Sequence, residues 1–268
     1  MFRRVLFRSA VTTTGAQNYN EAVTLGAATT LTSTGSGALT FATTLNGART
    51  LALNTAGTTT IGGIVGGTAA LTSLTTNTGG TTAIDGGAVT TTGAQIYNDA
   101  VTLGAATTLT STGSGALTFA TTLNGAQTLA LNTAGTTTLG GIVGGATALT
   151  SLTTNTGGTT AIDGGAVTTT GAQTYNDAVT LGAATTLTST GSGAITLATT
   201  LNGAQTLALN TAGTTTLGGI VGGATALTSL TTNTGGATAI DGGAVTTTGA
   251  QIYNDAVTLG AATTLLFR

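Results

Sequence analysis

The chain contains no cysteine, proline, histidine, tryptophan or lysine, and only 4% of its residues are charged. Without His or Cys it has no Ser-His-Asp triad, no cysteine nucleophile and no ordinary zinc ligand set. With five Arg and no Lys, the chain has too few basic residues to form a surface that contacts a phosphate backbone. Nucleic acid is therefore disfavoured as a partner. The lack of Cys also excludes a disulfide framework. We therefore expect a protein that is not an enzyme and that uses no cofactor.

The two ends of the chain differ from everything between them. Residues 3–9 read Arg-Arg-Val-Leu-Phe-Arg-Ser, and Leu-Phe-Arg returns at residues 266–268. No apolar segment of the kind found in a signal peptide follows the basic residues. We expect residues 1–9 and 266–268 to be sequence scars, such as a translated sequencing adapter, and the rest to be an internal piece of a longer protein.

A repeat of 78 residues fills the remainder. The segment that begins at Ala10 and reads Ala-Val-Thr-Thr-Thr-Gly-Ala-Gln returns at Ala88, Ala166 and Ala244. A unit of this size is close to an immunoglobulin-like domain of about 100 residues, but a shorter period inside it favours one continuous array. The predicted organisation is a single array over residues 10–265, with repeats at 10–87, 88–165 and 166–243 and a partial repeat at 244–265.

Each repeat divides into four pieces of about 20 residues. In the first repeat, the pieces begin with an apolar residue at Val11, Leu31, Leu51 and Leu71, and the next repeat continues at Val89. Each piece also contains a second apolar residue followed by Gly, Asn or Asp, the residues that tolerate a positive φ. The predicted corner column consists of Gly26, Asn46, Gly66 and Asp85, each preceded by Leu25, Leu45, Val65 or Ile84.

This period predicts an all-β fold, a single parallel β-solenoid of about 13 rungs with roughly 20 residues in each. The high Thr and Gly content and the lack of apolar faces with a 3.6-residue period disfavour helix. We expect the five leading apolar residues to form one interior ladder and the residues before the corners to form a second. At about 4.8 Å per rung, the rod is expected to be about 60 Å long.

Differences between copies indicate which columns face solvent. Arg49 is replaced by Gln in later repeats, and Asn18 is replaced by Ile or Thr, so both columns are predicted to face outward. The segments Tyr19-Asn20-Glu21 and Tyr97-Asn98-Asp99 predict a local bend, with the Tyr packed and the acid exposed.

Carboxylates are the only residues that could carry chemistry. One set occupies the corner column and is interpreted as turn residues: Asp85, Asp163 and Asp241. The second set follows the Tyr-Asn pair: Glu21, Asp99, Asp177 and Asp255. Four rungs per repeat would place identical acids about 19 Å apart, too far for a glycosidase pair, which needs roughly 5–9.5 Å, or for a shared Ca²⁺. We predict no catalytic, cofactor-binding or metal-binding residue.

Two motifs in the chain are similar to motifs with known functions. Ile84-Asp85-Gly86-Gly87 is similar to calcium-binding Gly/Asp nonapeptides, but those need the Asp in every short repeat. Thr-x-Thr arrays are typical of an ice-binding face, yet the array that starts at Thr12-Thr13-Thr14 is interrupted by Ala52-Leu53-Asn54.

The repeats resemble those of very large bacterial surface proteins. Segments such as VTTTGAQ, YNDAVTLGA, LTSTGSG, LNGAQTLALNTAGTTT and ALTSLTTNTGGTTAI are similar to the repeats of filamentous-haemagglutinin-type and related autotransporter-like adhesins of Gram-negative bacteria. The resemblance covers residues 10–265. It implies a right-handed parallel β-helix that is exported across the outer membrane, and it transfers no functional residues because the repeats contain none.

We therefore expect a structural stalk or passenger segment of an exported surface protein, located at the cell surface or outside the cell. Host-cell or surface glycans and proteins are expected to bind outside this segment. We expect no binding to nucleic acid and no insertion into a membrane. We do expect the rod to associate with itself end to end. The alternatives are a matrix or surface-layer structural protein, an ice-binding protein and a glycan-acting β-helix protein.

Overall fold

The computed structural model describes residues 4–7 and 9–268. Two arginines of the basic amino-terminal segment, Arg3 and Arg8, lie outside the described residues. Within the described part the chain forms strands and turns only, and it therefore contains no helix long and apolar enough to cross a membrane.

Thirty-five short strands were assigned in the described residues. Those up to the end of the first repeat are β1 (Arg4–Phe7), β2 (Val11–Thr13), β3 (Gln17–Tyr19), β4 (Ala22–Leu25), β5 (Thr29–Ser33), β6 (Leu39–Phe41), β7 (Leu45–Asn46), β8 (Thr50–Thr55), β9 (Thr58–Ile61), β10 (Ser73–Thr76) and β11 (Thr81–Ile84). The second repeat contains β12 (Ala88–Thr91), β13 (Gln95–Tyr97), β14 (Ala100–Leu103), β15 (Thr107–Ser111), β16 (Leu117–Phe119), β17 (Leu123–Asn124), β18 (Thr128–Thr133), β19 (Thr136–Leu139), β20 (Ser151–Thr154) and β21 (Thr159–Ile162).

The third and fourth repeats follow the same order. They contain β22 (Ala166–Thr169), β23 (Gln173–Tyr175), β24 (Ala178–Leu181), β25 (Thr185–Ser189), β26 (Ile195–Leu197), β27 (Leu201–Asn202), β28 (Thr206–Thr211), β29 (Thr214–Leu217), β30 (Ser229–Thr232), β31 (Ala237–Ile240), β32 (Ala244–Thr247), β33 (Gln251–Tyr253), β34 (Ala256–Leu259) and β35 (Thr264–Phe267).

The strands wind into a parallel β-solenoid, as the sequence predicted, with about 12 turns in place of the predicted 13. Successive strands lie on three faces in rotation, so that each strand pairs in parallel with one about a turn away in the chain: β5 pairs with β2 and β8. Alternation of Thr with Val, Leu and Ile suits such strands, because one side of each faces the core and the other faces solvent. At about 4.8 Å per turn the rod is about 58 Å long.

Isolated bridges join the six sheets into three continuous faces. Val65, Val143 and Val221 each bridge the strand below and the strand above. Face 1 runs from β2 through β27 and Val221 to β32 and β35; face 2 runs from β3 through β17 and Val143 to β22 and β33; face 3 runs from β1 through β7 and Val65 to β12 and β34.

One repeat makes three and two-thirds turns, and not the four predicted from the 20-residue pieces. Paired residues lie 18 to 24 positions apart, as in Phe7↔Leu25 and Val65↔Val89. The strand β2 lies on face 1, whereas its equivalents β12 and β22 lie on faces 3 and 2, and β32 returns to face 1. Each repeat is therefore rotated by one face relative to the last, and three repeats complete 11 turns.

The residues of the first predicted interior ladder face the core as predicted, but the register in which they pair is different. All of its Leu residues are buried, and Val11 pairs with Leu31 as expected. Leu31, however, pairs with Leu53, while Leu51 pairs with Leu74. Because Leu51 and Leu53 both point inward, a shift of two positions keeps the core apolar and leaves the pattern of burial unchanged.

The second ladder and the corner column also need correction. Leu45 and Val65 do pair, but their neighbours on face 3 are Val23 and Val89 in place of Leu25 and Ile84. Of the four predicted corner residues, only Gly66 has a positive φ, at 72°. At two other corners the positive φ falls one or two residues later, on Gly47 and Gly87, where no Cβ opposes it.

A single apolar core runs through the rod as far as the last turn. Inward side chains from all three faces form one cluster that extends from Phe7 to Val245. Rings also stack along the axis, with the centroids of Tyr97 and Phe119 5.3 Å apart. The terminal segments continue the same winding, since β1 pairs with β4 and β35 pairs with β32.

Candidate functional site

The corner carboxylates lie on the surface of the rod. Asp85, Asp163 and Asp241 are exposed and follow the last residue of a strand. The carboxylate of Asp85 lies against Gly104 of the next turn, at the place where a Cβ on residue 104 would be. The same contact recurs in the later copies, so a glycine above each corner acid makes room for it.

The two sets of acids do not come together. Asp85 follows β11 and is level with Gly104, whereas Asp99 precedes β14 and is level with Gly80. The carboxylates therefore lie at opposite ends of one strand pair, about 16 Å apart along the strands. This exceeds the spacing of a glycosidase carboxylate pair. Identical acids in successive repeats are separated by three and two-thirds turns and lie on different faces.

The second acid of each internal repeat is buried, which corrects the prediction that it is exposed. Asp99 is 3% exposed and Asp177 is 2% exposed, while Glu21 in the first repeat is exposed. The Tyr residues of these segments are packed as predicted, with Tyr97 and Tyr175 fully buried.

Two hydroxyl groups from the preceding turn bind one oxygen of the Asp99 carboxylate. Thr76 and Thr82 donate hydrogen bonds to its Oδ1 at 2.8 and 2.9 Å. These threonines end β10 and lie in β11, so they bracket the turn between the two strands. The Oδ2 of Asp99 is buried and has no hydrogen-bond partner among the described residues.

The amide of Asn98 fixes this turn from the other side. Its Nδ2 donates to the carbonyl of Thr76 at 2.7 Å, and its backbone N–H donates to the hydroxyl of Thr76 at 3.1 Å. Since that hydroxyl accepts from Asn98, its own proton is free to point at Asp99. The Tyr-Asn-Asp segment is thus a clamp between two turns.

Burial governs the protonation of this clamp. Loss of hydration raises the pKa of Asp99, and the hydrogen bonds from Thr76 and Thr82 oppose that rise. Burial raises the pKa of Tyr97 above its usual range, and the neighbouring Asp99 charge adds to the effect. The hydroxyl of Tyr97 donates to Oε1 of Gln95 at 3.0 Å, which keeps the neutral phenol satisfied.

The later copies keep the clamp with small differences. Asp177 accepts from the backbone N–H of Gly158 at 2.9 Å and from the hydroxyl of Thr160 at 3.3 Å. Burial also raises the pKa of Asp177, against the effect of its hydrogen bonds. Asp255 accepts from Thr232 and Thr238 at 2.9 Å each and is only half-buried, because it lies in the last turn.

Alternation along the strand contained the signal for this burial. Gln95, Tyr97 and Val101 are buried at every second position on either side of Asp99, which places the acid on the inward side as well. The expectation of an exposed acid followed the usual preference of carboxylates for water and overlooked this parity.

A shallow groove also recurs in the array. In the first repeat Asn46, Ile64 and Thr68 line a groove of about 410 Å³, and in the third repeat Asn202 and Ile220 line one of about 460 Å³. The Ile of each copy is unusually exposed for its type: Ile64 at 45%, Ile142 at 44% and Ile220 at 44%. The lining is uncharged and combines apolar side chains with Thr and Asn, so the groove offers no charged group to a partner.

The outer surface carries columns of hydroxyl groups. One column of face 3 consists of Thr and Ala alone over nine turns: Ala88, Thr108, Ala130, Thr153, Thr174, Thr196, Thr216, Ala239 and Thr258. The column through Thr12 and Thr32 ends at Asn54, which is the interruption predicted for an ice-binding array.

Within residues 4–7 and 9–268 no group of three or more His, Cys, Asp or Glu side chains could hold a metal ion. Comparison with known proteins finds no matching family profile, no similar curated sequence and no similar solved structure.

Proposed function

We propose that this chain is a rod-shaped spacer segment of an exported bacterial surface protein of the adhesin type. The observation that carries the proposal is the unbroken core, which makes the repeats one stiff body of about 12 turns. A spacer needs length and stiffness. Stacked turns supply length because each turn contacts only its neighbours, and the continuous core and strand pairing between turns supply stiffness.

The surface of the rod supports the same function. Four carboxylates are exposed: Glu21, Asp85, Asp163 and Asp241. Arg49, the one basic residue between the terminal segments, is also exposed. Side chains of Thr and Ala cover much of the remaining surface, so the rod offers few groups that would fix a partner by charge. Residues that bind host glycans or proteins would then lie in other parts of the whole protein.

The geometry of the repeat implies that the length of the rod changes by a fixed amount for each repeat added or removed. Removing residues 88–165 joins equivalent positions and leaves every strand with a partner of the same type. We expect a rod shorter by about 18 Å, which is three and two-thirds turns. Everything beyond the deletion would also rotate by one face. Small-angle scattering of the intact and shortened chains measures the change in length.

Two further measurements separate a spacer from a binding protein. An antibody raised against the rod should label intact, unpermeabilised cells of the source bacterium; labelling only after permeabilisation would contradict an exported protein. The purified rod should show no saturable binding to host cells or to a glycan array. Saturable binding that is lost when Thr residues of the face 3 column are changed would make the rod itself adhesive.

A further inference from the structure

We propose that the buried Tyr-Asn-Asp clamp makes the rod a pH-responsive body, whose turns are held together more strongly in acid than at neutral pH. The clamp occurs once in each internal repeat, at Asp99 and at Asp177. It joins the turn that contains β10 and β11, or β20 and β21, to the turn above it.

The argument begins with the surroundings of the carboxyl group. At Asp99 one oxygen accepts both threonine hydroxyls, and the other is buried with no partner. Asp177 is equally buried, although both of its oxygens accept a hydrogen bond. A buried charge is costly unless it is paired, and no cation pairs with either acid among the described residues. A neutral carboxyl group needs no counter-charge, and its carbonyl oxygen still accepts from Thr76 and Thr82.

The groups that face each clamp are few. The strands packed around Asp99 are β10, β11, β13, β14 and β16, and in the part described they carry one other titratable group, Tyr97. Around Asp177 the corresponding group is Tyr175. Both phenols are buried, and burial raises the pKa of each above its usual range. Neither phenol loses a proton between pH 4 and pH 8, so the aspartates alone change charge there.

The direction of the pH effect follows from linkage. Burial raises the pKa of Asp99 and of Asp177 in the rod, so the folded chain holds protons that the unfolded chain has released. The stabilisation is complete below the pKa of an unfolded aspartate, about 3.9. It is lost as the pH rises through the higher pKa of the folded rod.

At neutral pH we expect one turn of the rod to open locally before the whole chain unfolds. Ionised Asp99 must recover water, and the route to water is the turn between Thr76 and Thr82, which contains the adjacent glycines Gly79 and Gly80. Gly79 has a φ of 99° and a Cβ there would meet nothing within 4 Å, so the tip of this turn is open, whereas Gly80 lies against the backbone of Thr55 and Gly57. Movement at Gly79 would therefore admit water to the carboxylate while Gly80 keeps its place. The clamp would then loosen at neutral pH while the two strands stay paired.

The test compares urea unfolding of three forms of the chain at pH 4 and at pH 7.5. The unaltered chain should have a lower urea midpoint at pH 7.5. Over the titration range its unfolding constant should rise by about tenfold per pH unit for each buried aspartate. The double variant Asp99→Asn/Asp177→Asn should lose most of this dependence, since the amide cannot ionise. The matched control Asp85→Asn/Asp163→Asn removes two exposed acids and should keep it.

A direct titration covers the case in which the double variant fails to fold. Carbon-13 labelling of aspartate carboxyl groups allows NMR to follow Asp99 and Asp177 in the unaltered chain, with the Asn variants used only for assignment. Titration of these two groups above the ordinary aspartate range supports the proposal. Titration at or below about 3.9, or equal pH dependence in all three forms, overturns it.

Discussion

At the scale of single residues, threonine has two roles that depend on the direction of its side chain. Outward Thr residues cover the strands with small hydroxyl-bearing groups that suit an exposed sheet. Inward Thr residues place a hydroxyl in an apolar core, where it needs a partner. The hydroxyl of Thr133 has two, because it donates to the carbonyl of Gly115 at 2.7 Å and accepts from the N–H of Gly135 at 2.9 Å. The hydroxyl of Thr137, four residues later, has none among the described residues.

These two residues give a matched pair of substitutions. Thr137→Val replaces an unpaired buried hydroxyl with a methyl group of similar size, and we expect it to stabilise the rod by about 1 kcal/mol. Thr133→Val removes both hydrogen bonds of its hydroxyl and should destabilise the rod by about 1–3 kcal/mol. Urea denaturation of the two variants checks the signs. A loss of stability in Thr137→Val would show that its hydroxyl has a partner.

The sequence predicted which side chains point toward the core, but it did not predict which hydrogen bonds the buried polar groups make. The burial of Leu31, Leu51 and Leu71 follows from alternation and was predicted correctly. The burial of Asp99 follows from the same alternation, yet the general cost of burying a carboxylate argued against it. Only the structure brings Thr76 and Thr82 to that carboxylate, because both belong to the preceding turn.

At the scale of elements, the loop after Val65 explains why the repeat is not a whole number of turns. Val65 and Leu71 bridge residues only two positions apart in the next turn, Val89 and Thr91. The four surplus residues bulge outward, and the corner amide of Asn46 holds them by accepting the N–H groups of Thr68 and Ala69. A sequence period of about 20 residues concealed this bulge, since Gly-rich pieces of equal length can be paired in more than one register.

Removing the corner amide in the second repeat tests this explanation. Asn124 accepts the N–H groups of Ala146 and Thr147 at 2.9 and 3.2 Å, so Asn124→Ala leaves two loop donors without their partner. We expect a loss of about 1 kcal/mol, together with faster amide hydrogen exchange over residues 144–148.

The control for this change is Asn132→Ala, an outward position of β18. It should alter stability by less than about 0.5 kcal/mol. Equal effects of the two alanine variants would mean that the corner amide does not hold the loop.

At the scale of the whole molecule, the rod is a screw in which one repeat advances three and two-thirds turns. Identical surface features, such as the exposed Ile64, Ile142 and Ile220, therefore appear on each face in turn and do not form a single stripe. The fold class was predictable from the short period, whereas the rotation was not, because it depends on the lengths of all the turns together. The last turn is open: β33, β34 and β35 each end a sheet of the described chain.

The open turn makes end-to-end association an expected property of the isolated chain. The last turn exposes Leu259 at 60%, Leu265 at 47% and Phe267 at 62%, beside strand edges that can pair with another chain. A net charge of −2 gives little repulsion. Size-exclusion chromatography should show association that increases with concentration, and Leu259→Lys/Phe267→Lys should reduce it. A chain that stays monomeric at every concentration would refute the prediction.

Disulfide cross-linking tests the winding most directly. Because the chain has no native Cys, only the introduced pair can form a disulfide within it. Thr108 and Ala130 are paired on face 3, so Thr108→Cys/Ala130→Cys should form an intramolecular disulfide under mild oxidation. Thr108→Cys/Thr128→Cys corresponds to a 20-residue turn and places the two Cα atoms about 8 Å apart, beyond the usual disulfide range. Rapid closure of the first pair and slow closure of the second is the predicted result. Closure of the second pair alone, or of neither, would contradict the solenoid in the register described.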